Sequence, residues 1–365
     1  MKFGLVIYGR LENLSGGFLY DRLLVDFLRR QGDSVEIISQ PWSRYANHLG
    51  QNFQPALSHR LQSLEVDVLL QDELNHPSLF WVNRAIRSGV SYPIISIVHH
   101  LRSSEQHPRL LNRLYRAIEY RYLASVDAFI WNSQTTRRVV EGLLQRSARG
   151  VVAYPAGDRL GGMQEDEITR RCLGPGPLRL LFIGSLIPRK GLHTLISALA
   201  TLKAEGWILA VIGRQDVDPD YSRQVRQMVE AHHLEAHIQF LGSLPEAELA
   251  AHLRQGQVLV MVSSYEGFGI VYLEGMSFGL PAIASTAGAA GEIIQNGENG
   301  WLVDAGDVAG LAESIAKYQQ SSELLLAHSL AARRRFQQFP AWEDSAGQIR
   351  RFVSNFVENE WKGRQ

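Results

Sequence analysis

Residues 258–285 read VLVMVSSYEGFGIVYLEGMSFGLPAIAS and carry the pattern that decides the fold. A β-branched apolar run is followed by a glycine-containing loop, a segment of helical length and a second apolar run. This order predicts a buried parallel β–α–β unit. Glu266 and Glu274 stand inside the otherwise apolar stretch. They are either the solvated edge of an ordinary helix or groups that face a ligand rich in hydroxyls.

The same alternation of short apolar runs and longer amphipathic segments extends along most of the chain. The first set of predicted strands is FGLVIY, SVEIIS, VDVLLQ, PIISIVH and DAFIWN. The second set is LRLLFIG, ILAVIG, IQFLG, VLVMVS, PAIAS and GWLV. Such alternation is typical of parallel sheets with helices on both faces. We therefore predict an α/β protein made of two doubly wound, Rossmann-like domains.

The boundary between the domains is expected in the segment PAGDRLGGMQEDEITRRCLGPGPL, which is rich in glycine, proline and charge. We predict a first domain over residues 1–165, joined by a C-terminal helix over 343–365, and a second domain over 170–340. A chain of 365 residues suits two cores, because single cores stop growing at about 250 to 300 residues. Ligands of open α/β sheets bind at the carboxyl ends of the strands, so we expect the function in a cleft between the domains.

Composition limits the partners and the compartment. The chain has 37 Lys and Arg residues and 37 Asp and Glu residues, so net charge gives no reason to expect a nucleic-acid partner. The single cysteine, Cys172, cannot form an internal disulfide and fits a reducing compartment. No uncharged apolar run is long enough to span a bilayer, and the opening MKFGLVIYGR reads as a buried strand. We expect a cytoplasmic protein, with the inner face of the membrane as a candidate location.

Two glycine-containing turns are candidate anion sites. In GRLENLSGGFLYDRLL, Gly16 and Gly17 stand at the entry to a helix, where backbone N–H groups could meet an anion. In LLFIGSLIPRKGLHTLISAL, Arg189 and Lys190 precede a helix and would add to the positive end of its dipole. A plain β–α turn and a solvated basic loop are the alternatives. The chain contains neither G-x-G-x-x-G nor G-x-x-x-x-G-K-S/T.

Histidines and aspartates offer weaker candidates. His99 and His100 follow a predicted strand, where they could hydrogen-bond a substrate or serve only the structure. A metal site would need further ligands at suitable spacing, so we expect no metal. Asp216 and Asp218 have a D-x-D spacing, but their place between a strand and a helix favours turn and cap roles.

The segment HPRLLNRLYRAIEYRYL predicts an amphipathic helix with a basic row. Arg109, Arg113 and Arg116 share one face, next to Leu110, Leu114 and Ile118. This pattern suits a helix lying on an anionic membrane, and residues 102–123 are a candidate membrane contact. It also suits an ordinary solvated helix, which we favour at this point.

Taken together, the two-domain pattern, the basic turn and SSYEGFGIVYLEGMSFGLPAIAS resemble retaining glycosyltransferases of the GT4 family, also called glycosyl transferases group 1, with the GT-B fold. The most specific part is Glu266, seven residues and Glu274, followed by GLPAIAS and GAAGEIIQNGENGWLV. The resemblance implies transfer of a hexose from a nucleoside diphosphate sugar to a glycan, lipid-linked or small-molecule acceptor. It also implies that no cofactor and no metal are needed.

The resemblance implies roles for individual residues. Glu266 would contact the donor sugar, Glu274 the ribose and Lys190 the diphosphate, while His99 most nearly matches a histidine close to the donor sugar. The implied donor-binding residues are Gly16, Gly17, Gly184, Ser185, Arg189, Lys190, Gly267, Phe268, Gly269, Ile270 and Glu274. The implied catalytic residues are Glu266, His99, Lys190 and Arg189, and His100 is a candidate sugar or acceptor contact.

The sequence departs from the family pattern at two positions. Ser185 stands where the family often has an arginine, and we expect Arg189 to supply part of that charge. Glu292 lacks the proline that frequently precedes it, but it could still orient the donor loop. Two other readings stay open: a noncatalytic protein that binds sugar nucleotides, and an epimerase or phosphorylase with the GT-B fold.

Overall fold

The computed structural model describes residues 1–13 and 15–361. Contacts between residues divide the chain into two compact units. The N-terminal unit comprises Met1–Pro155 and the chain from Trp342 onward, and the C-terminal unit comprises Ala156–Ala341. Every strand that we predicted from the sequence is present.

The N-terminal unit is built on a six-stranded sheet. Its strands are β1 (Lys2–Tyr8), β2 (Ser34–Gln40), β3 (Val68–Asp72), β4 (Ile94–Val98), β5 (Ala128–Trp131) and β6 (Gly150–Val152). Its first helices are α1 (Gly16–Arg30), α2 (Tyr45–Gln51), α3 (Pro55–Gln62), α4 (His76–Leu79), α5 (Val82–Ile86), α6 (Arg109–Leu123) and α7 (Gln134–Leu144). The strands are parallel, in the order β2-β1-β3-β4-β5-β6.

The C-terminal unit repeats this architecture with its own six-stranded parallel sheet. Its strands are β7 (Leu178–Ile183), β8 (Trp207–Ile212), β9 (Ile238–Gly242), β10 (Val258–Met261), β11 (Ala282–Ser285) and β12 (Gly300–Val303). Its helices are α8 (Glu165–Leu173), α9 (Leu192–Leu199), α10 (Pro219–Ala231), α11 (Glu246–Gln255), α12 (Ile270–Ser277), α13 (Ala290–Ile293), α14 (Val308–Gln320) and α15 (Ser322–Phe336). The strand order is β12-β11-β10-β7-β8-β9.

The chain then returns to the N-terminal unit through α16 (Trp342–Asn355), which continues as a π-helical turn over Phe356–Trp361. Leu5 and Ile7 of β1 belong to the same buried cluster as Val353 of α16, whereas Val6 belongs to the cluster on the other face of the sheet. Burial on both faces explains why this strand is a continuous apolar run rather than an alternating one.

Strand β6 was not predicted from the sequence. It has only three residues, lies at the edge of its sheet and is half-buried, so it lacks the apolar run that marks the other strands. A Cβ at Gly150 would lie 2.4 Å from the carbonyl oxygen of Phe129 and 2.6 Å from the ring of Trp131. Glycine is therefore needed for the edge strand to approach β5.

Part of the segment that we expected to be a linker is packed against the C-terminal unit. The first boundary between the units falls at Pro155 and Ala156, earlier than we expected, and the segment beyond it includes helix α8. A Cβ at Gly157 would lie 2.4 Å from the backbone carbon of Leu273, and a Cβ at Gly162 would lie 2.5 Å from the carbonyl oxygen of Ser277. Residues 156–164 therefore pack closely along the backbone of α12.

Two further features of the described chain bear on later arguments. Cys172 is 2% exposed, and its thiol donates to Oγ of Ser329 at 3.3 Å. Among the described residues, no helix is both long and apolar enough to cross a membrane.

Candidate functional site

An ion cluster in the C-terminal unit joins the β7–α9 turn to the β10–α12 loop. Nζ of Lys190 lies 2.5 Å from Oε1 of Glu266. A guanidinium nitrogen of Arg189 lies 3.4 Å from the same oxygen and donates to the carbonyl oxygen of Tyr265 at 2.8 Å. Because β7 and β10 are neighbours in the parallel sheet, their carboxyl ends bring these residues together.

The backbone fixes this arrangement through close packing between the two loops. Gly191 has φ +75°, and a Cβ there would lie 2.4 Å from the carbonyl oxygen of Val262. The amide of Ser264 donates to the carbonyl oxygen of Arg189 at 2.8 Å. Gly184 lies beside the Lys190 stem, since a Cβ there would be 3.6 Å from Cδ of Lys190. The basic turn is therefore held against the loop that carries Glu266.

The cations decide the charge state of Glu266. Burial by itself would raise the pKa of Glu266, but Lys190 and Arg189 outweigh it and lower that pKa to about 2. The carboxylate is therefore ionised at neutral pH although it is only 8% exposed. An ammonium has three N–H donors, so Lys190 can direct N–H groups at more than one acceptor.

The loop after Glu266 leads directly into a helix. Residues 267–269 connect Glu266 to α12, and Gly269 adopts φ +92° immediately before the helix. The backbone carbonyl oxygen of Glu266 accepts from the amide of Ala289 at 2.9 Å. Gly267, Phe268, Gly269 and Ile270 thus lie at the positive end of the α12 dipole, which favours anionic groups.

Glu274 has a partner that the sequence did not indicate. Nε of Arg159 lies 2.6 Å from Oε1 of Glu274, and a second guanidinium nitrogen lies 2.6 Å from Oε1 of Glu246. Glu274 is 4% exposed. Burial raises the pKa of Glu274, and Arg159 offsets only part of this effect. Arg159 lies in the segment that we took for a linker, where an arginine carries no recognisable signal.

The remaining candidates of the C-terminal unit occupy ordinary positions. The carbonyl oxygen of Ser185 accepts from the amide of Ile187 at 2.9 Å. The expected cap role of Asp218 is confirmed, since its carboxylate accepts from the amide of Tyr221 at 3.0 Å at the start of α10. Asp216 pairs with Arg214 at 2.9 Å. The backbone oxygen of Glu292 accepts from Arg335 at 2.7 Å, which ties α13 to α15.

In the N-terminal unit, His99 lies against the start of α1. A Cβ at Gly17 would lie 3.0 Å from Cδ2 of His99, so Gly17, the second residue of the pair Gly16 and Gly17, allows the helix to begin beside the imidazole. Nε2 of His99 lies 3.2 Å from Oδ1 of Asp21. The ligating atoms of Asp21, Asp72 and His99 all lie within 4.8 Å of one another.

Acidic groups dominate this second cluster. Burial lowers the pKa of His99, but Asp21, Asp72 and Glu73 outweigh it and raise that pKa to about 9. Burial and the charge of Asp21 raise the pKa of Asp72 to about 8. Burial also raises the pKa of Glu73, to about 7. His99 is therefore a buried cation at neutral pH, and the raised pKa of Asp72 favours the protonated form of that carboxyl.

His100 points to a different partner. Its Nε2 lies 3.0 Å from Oε1 of Glu105, in the loop before α6. His99 thus lies against the glycine turn of α1, whereas His100 pairs with Glu105.

The two sheets, each with helices on both faces, define the class of the protein: it has the GT-B fold. The Anabaena protein Alr3699/HepE, solved in complex with UDP-glucose, matches with a TM-score of 0.77 and 20% identity over 97% of this chain and 100% of that chain. Residues 165–335 match the model of the family described as glycosyl transferases group 1. The similarity to that family lies in the C-terminal unit.

Two relatives show how far the similarity extends. Glycogen synthase of Mycobacterium tuberculosis is 33% identical over 176 residues, which is 47% of this chain and 41% of that protein. Phosphatidyl-myo-inositol mannosyltransferase of Mycobacterium leprae is 29% identical over 316 residues, or 82% of this chain and 77% of that protein. The match to the glycogen synthase therefore covers less than half of that relative.

Proposed function

We propose that the protein is a retaining glycosyltransferase that moves a hexose from a nucleoside diphosphate sugar to an acceptor hydroxyl. The observation that carries this proposal is the contact of Glu266 with both Lys190 and Arg189, at the carboxyl ends of two neighbouring strands. The match of residues 165–335 to the model of glycosyl transferases group 1 supports the reaction class. The UDP-glucose bound to the Anabaena neighbour makes that compound the first donor to test.

Lys190 and Arg189 would stabilise the departing diphosphate. Glycosyl transfer builds negative charge on the leaving group, and preorganised cations in a site shielded from water lower the barrier most effectively. Lys190 would donate to phosphate oxygens of the sugar nucleotide. These cations also support a reaction without a metal ion or cofactor. We infer that Arg189 supplies part of the charge that an arginine at the position of Ser185 would have given.

Glu266 would accept hydrogen bonds from hydroxyls of the donor sugar. Its carboxylate is ionised, and two cations hold it in place, so it is better suited to orienting the sugar than to attacking it. The backbone of Gly267, Phe268, Gly269 and Ile270, at the start of α12, would contact further oxygens of the donor. Neither Glu266 nor Glu274 then acts as the nucleophile.

Glu274 would accept from the ribose hydroxyls. Oε1 is directed at Arg159, which leaves the second carboxylate oxygen for the ribose. Arg159 also opposes the effect of burial on the pKa of Glu274, so it favours the ionised form that can accept two hydroxyls. Arg159 is thus proposed as a positioning residue for Glu274.

The configuration of the anomeric carbon would be retained because the acceptor attacks this carbon on the face that the leaving group vacates. The acceptor oxygen forms the new bond to the anomeric carbon, the bond from that carbon to the diphosphate oxygen breaks, and the acceptor proton passes to the leaving phosphate. The acceptor would be a glycan, a lipid-linked sugar or a small molecule.

We also propose a cytoplasmic location, which the single buried cysteine supports.

A panel of donors tests the proposal. UDP, GDP, ADP and dTDP sugars are each added to the full chain, and thermal unfolding is followed. A donor at about 100 times its dissociation constant should raise the melting temperature by about 5 to 10 °C. Glu266→Gln, which keeps the shape of the side chain, is the matched variant for turnover. If no donor stabilises the chain, the proposed donor site is wrong.

Product analysis separates the alternatives once a donor binds. Transfer to an added acceptor, lost in Glu266→Gln, supports the transferase. Binding without any conversion would identify a noncatalytic sugar-nucleotide-binding protein. Conversion of the sugar nucleotide without an acceptor would identify an epimerase. Loss of transfer in excess chelator would contradict metal independence and direct attention to Asp21, Asp72 and His99.

A further inference from the structure

Helix α6 has one face in the protein and one face in solvent. Its inner side is buried through Tyr115, Ile118, Glu119, Tyr122 and Leu123. Leu110 is 79% exposed and Leu114 is 48% exposed. We call the solvent side of this helix the α6 outer face, made of Arg109, Leu110, Arg113, Leu114, Arg116, Tyr120 and Arg121.

The α6 outer face separates its charged and apolar groups into two rows. With 3.6 residues per turn, Arg109, Arg113, Arg116 and Tyr120 follow one line along the helix. Leu110 and Leu114 follow the next line, which ends at Arg121. A solvated helix usually places polar groups in both rows. The two exposed leucines of this row, Leu110 and Leu114, therefore indicate a partner that takes up apolar side chains.

The charge of this surface has one sign. Glu119 is the only acidic residue in the sequence of α6. It is fully buried on the inner side, where its carboxylate accepts from the amide of Ser103 at 3.1 Å. The α6 outer face thus presents four arginines and no carboxylate. A partner with complementary charge must carry anionic groups next to an apolar layer.

We propose that the α6 outer face docks on an anionic lipid bilayer, with the helix lying in the plane of the headgroups. The leucine row would reach the boundary of the acyl chains, and the arginine row would pair with lipid phosphates. A bilayer of anionic lipids offers both the charge and the apolar layer along the length of the helix. This inference does not depend on the donor site, and the leucine exposures replace our initial preference for a solvated helix.

Vesicle sedimentation tests the proposal. The full chain is mixed with phosphatidylcholine vesicles that contain either no phosphatidylglycerol or about a third of it. Wild type should partition onto the anionic vesicles only. Arg109→Gln/Arg113→Gln/Arg116→Gln should lower the partition coefficient by on the order of 100-fold. Leu110→Ser/Leu114→Ser should lower it by at least about tenfold.

Matched variants at other surfaces control for net charge and for apolar content. Arg29→Gln/Arg60→Gln/Arg138→Gln removes the same charge from exposed positions of the same unit. Leu173→Ser/Ile208→Ser removes two exposed apolar side chains from the C-terminal unit. Both controls should bind like wild type, and all variants should keep the wild-type circular dichroism and donor-induced thermal shift.

Three outcomes would overturn the proposal. Wild type could fail to bind anionic vesicles, it could bind neutral vesicles equally well, or the α6 variants could bind as tightly as their controls. The donor-induced thermal shift separates this failure from failure of the proposed function, since α6 carries none of the proposed donor-site residues.

Discussion

The two units bury carboxyl groups to a similar degree but hold them in opposite charge states. In the C-terminal unit, Lys190 and Arg189 lower the pKa of Glu266 to about 2 against the effect of burial. In the N-terminal unit, burial and a neighbouring aspartate raise the pKa of Asp72 to about 8. Burial alone would disfavour the ionised form of both Glu266 and Asp72. The number of cations within reach, compared with the number of acids, decides which carboxyl is ionised.

Glu274 is an intermediate case that sharpens this comparison. It has one cation, Arg159, and that cation is shared with Glu246. Burial raises the pKa of Glu274 in spite of Arg159. Two nearby cations therefore lower the pKa of buried Glu266, whereas the single cation beside Glu274 does not outweigh burial.

Lys190→Met should have the largest effect. The variant loses the 2.5 Å contact with Glu266 and a cation proposed to stabilise the leaving group. We expect transfer to slow by about 100- to 1,000-fold. The pKa of Glu266 should rise at the same time, which would make Glu266 resemble Asp72. Steady-state kinetics with the donor found in the panel measures the loss.

Lys203→Met is the matched control, because Lys203 is exposed in the same unit. It should keep wild-type turnover. Equal turnover in Lys190→Met and Lys203→Met would remove Lys190 from the mechanism and leave its pairing with Glu266 as a structural feature only.

Arg159→Met should weaken nucleotide binding by about 10- to 150-fold, since hydrogen bonds to charged groups contribute about 1.5 to 3 kcal/mol. Without its cation, Glu274 should bind protons more tightly. The loss should therefore be larger at pH 6 than at pH 8. Calorimetric titration with UDP, or with the base selected by the panel, measures both effects.

A deoxyribose nucleotide makes this experiment specific to the ribose. Removing a ribose hydroxyl should weaken binding to wild type more than binding to Arg159→Met. Arg170→Met, at an exposed pair with Asp166, is the control and should leave affinity unchanged. If the deoxynucleotide is penalised equally in wild type and Arg159→Met, the positioning role of Arg159 is wrong.

The cluster of Asp21, Asp72 and His99 should produce a smaller effect. This effect is on the free energy of unfolding as a function of pH. His99 has a raised pKa of about 9, so its contribution is complete below its unfolded pKa of about 6.5 and is lost as pH rises towards 9. Asp72, raised to about 8, holds a proton that the unfolded chain has released. Both groups make the free energy of unfolding fall between pH 6.5 and 8, by about 1 to 3 kcal/mol.

Asp21→Asn should flatten this dependence, because it lowers the pKa of both His99 and Asp72. Denaturant unfolding at several pH values measures the slope, and Asp26→Asn, at an exposed position of α1, should keep the wild-type slope. A slope that is the same in Asp21→Asn and Asp26→Asn would contradict the pairing of His99 with Asp21.

Most of the fold could be predicted because strands buried on both faces leave continuous apolar runs. VLVMVS and PAIAS are of this kind, and they mark β10 and β11 without reference to the rest of the chain. The half-buried edge strand β6 leaves no such run. Asp218 could be predicted as a cap because capping is local, within three residues.

The partners of the site residues could not be predicted in the same way. Lys190 and Glu266 are 76 positions apart, and Arg159 and Glu274 are 115 positions apart. Such pairs depend on strand order, which one sequence does not determine. The resemblance to a known family pointed to Glu266, Glu274 and Lys190, but it gave no role to Arg159 or to the acids around His99.

The enclosed thiol has a practical consequence for spectroscopy. Because Cys172 is the only cysteine in the chain and lies inside the C-terminal unit, a maleimide dye should react selectively with a cysteine introduced at an exposed position. A probe attached through Arg116→Cys would report the polarity around α6 in the presence of vesicles, without first removing the native sulfur.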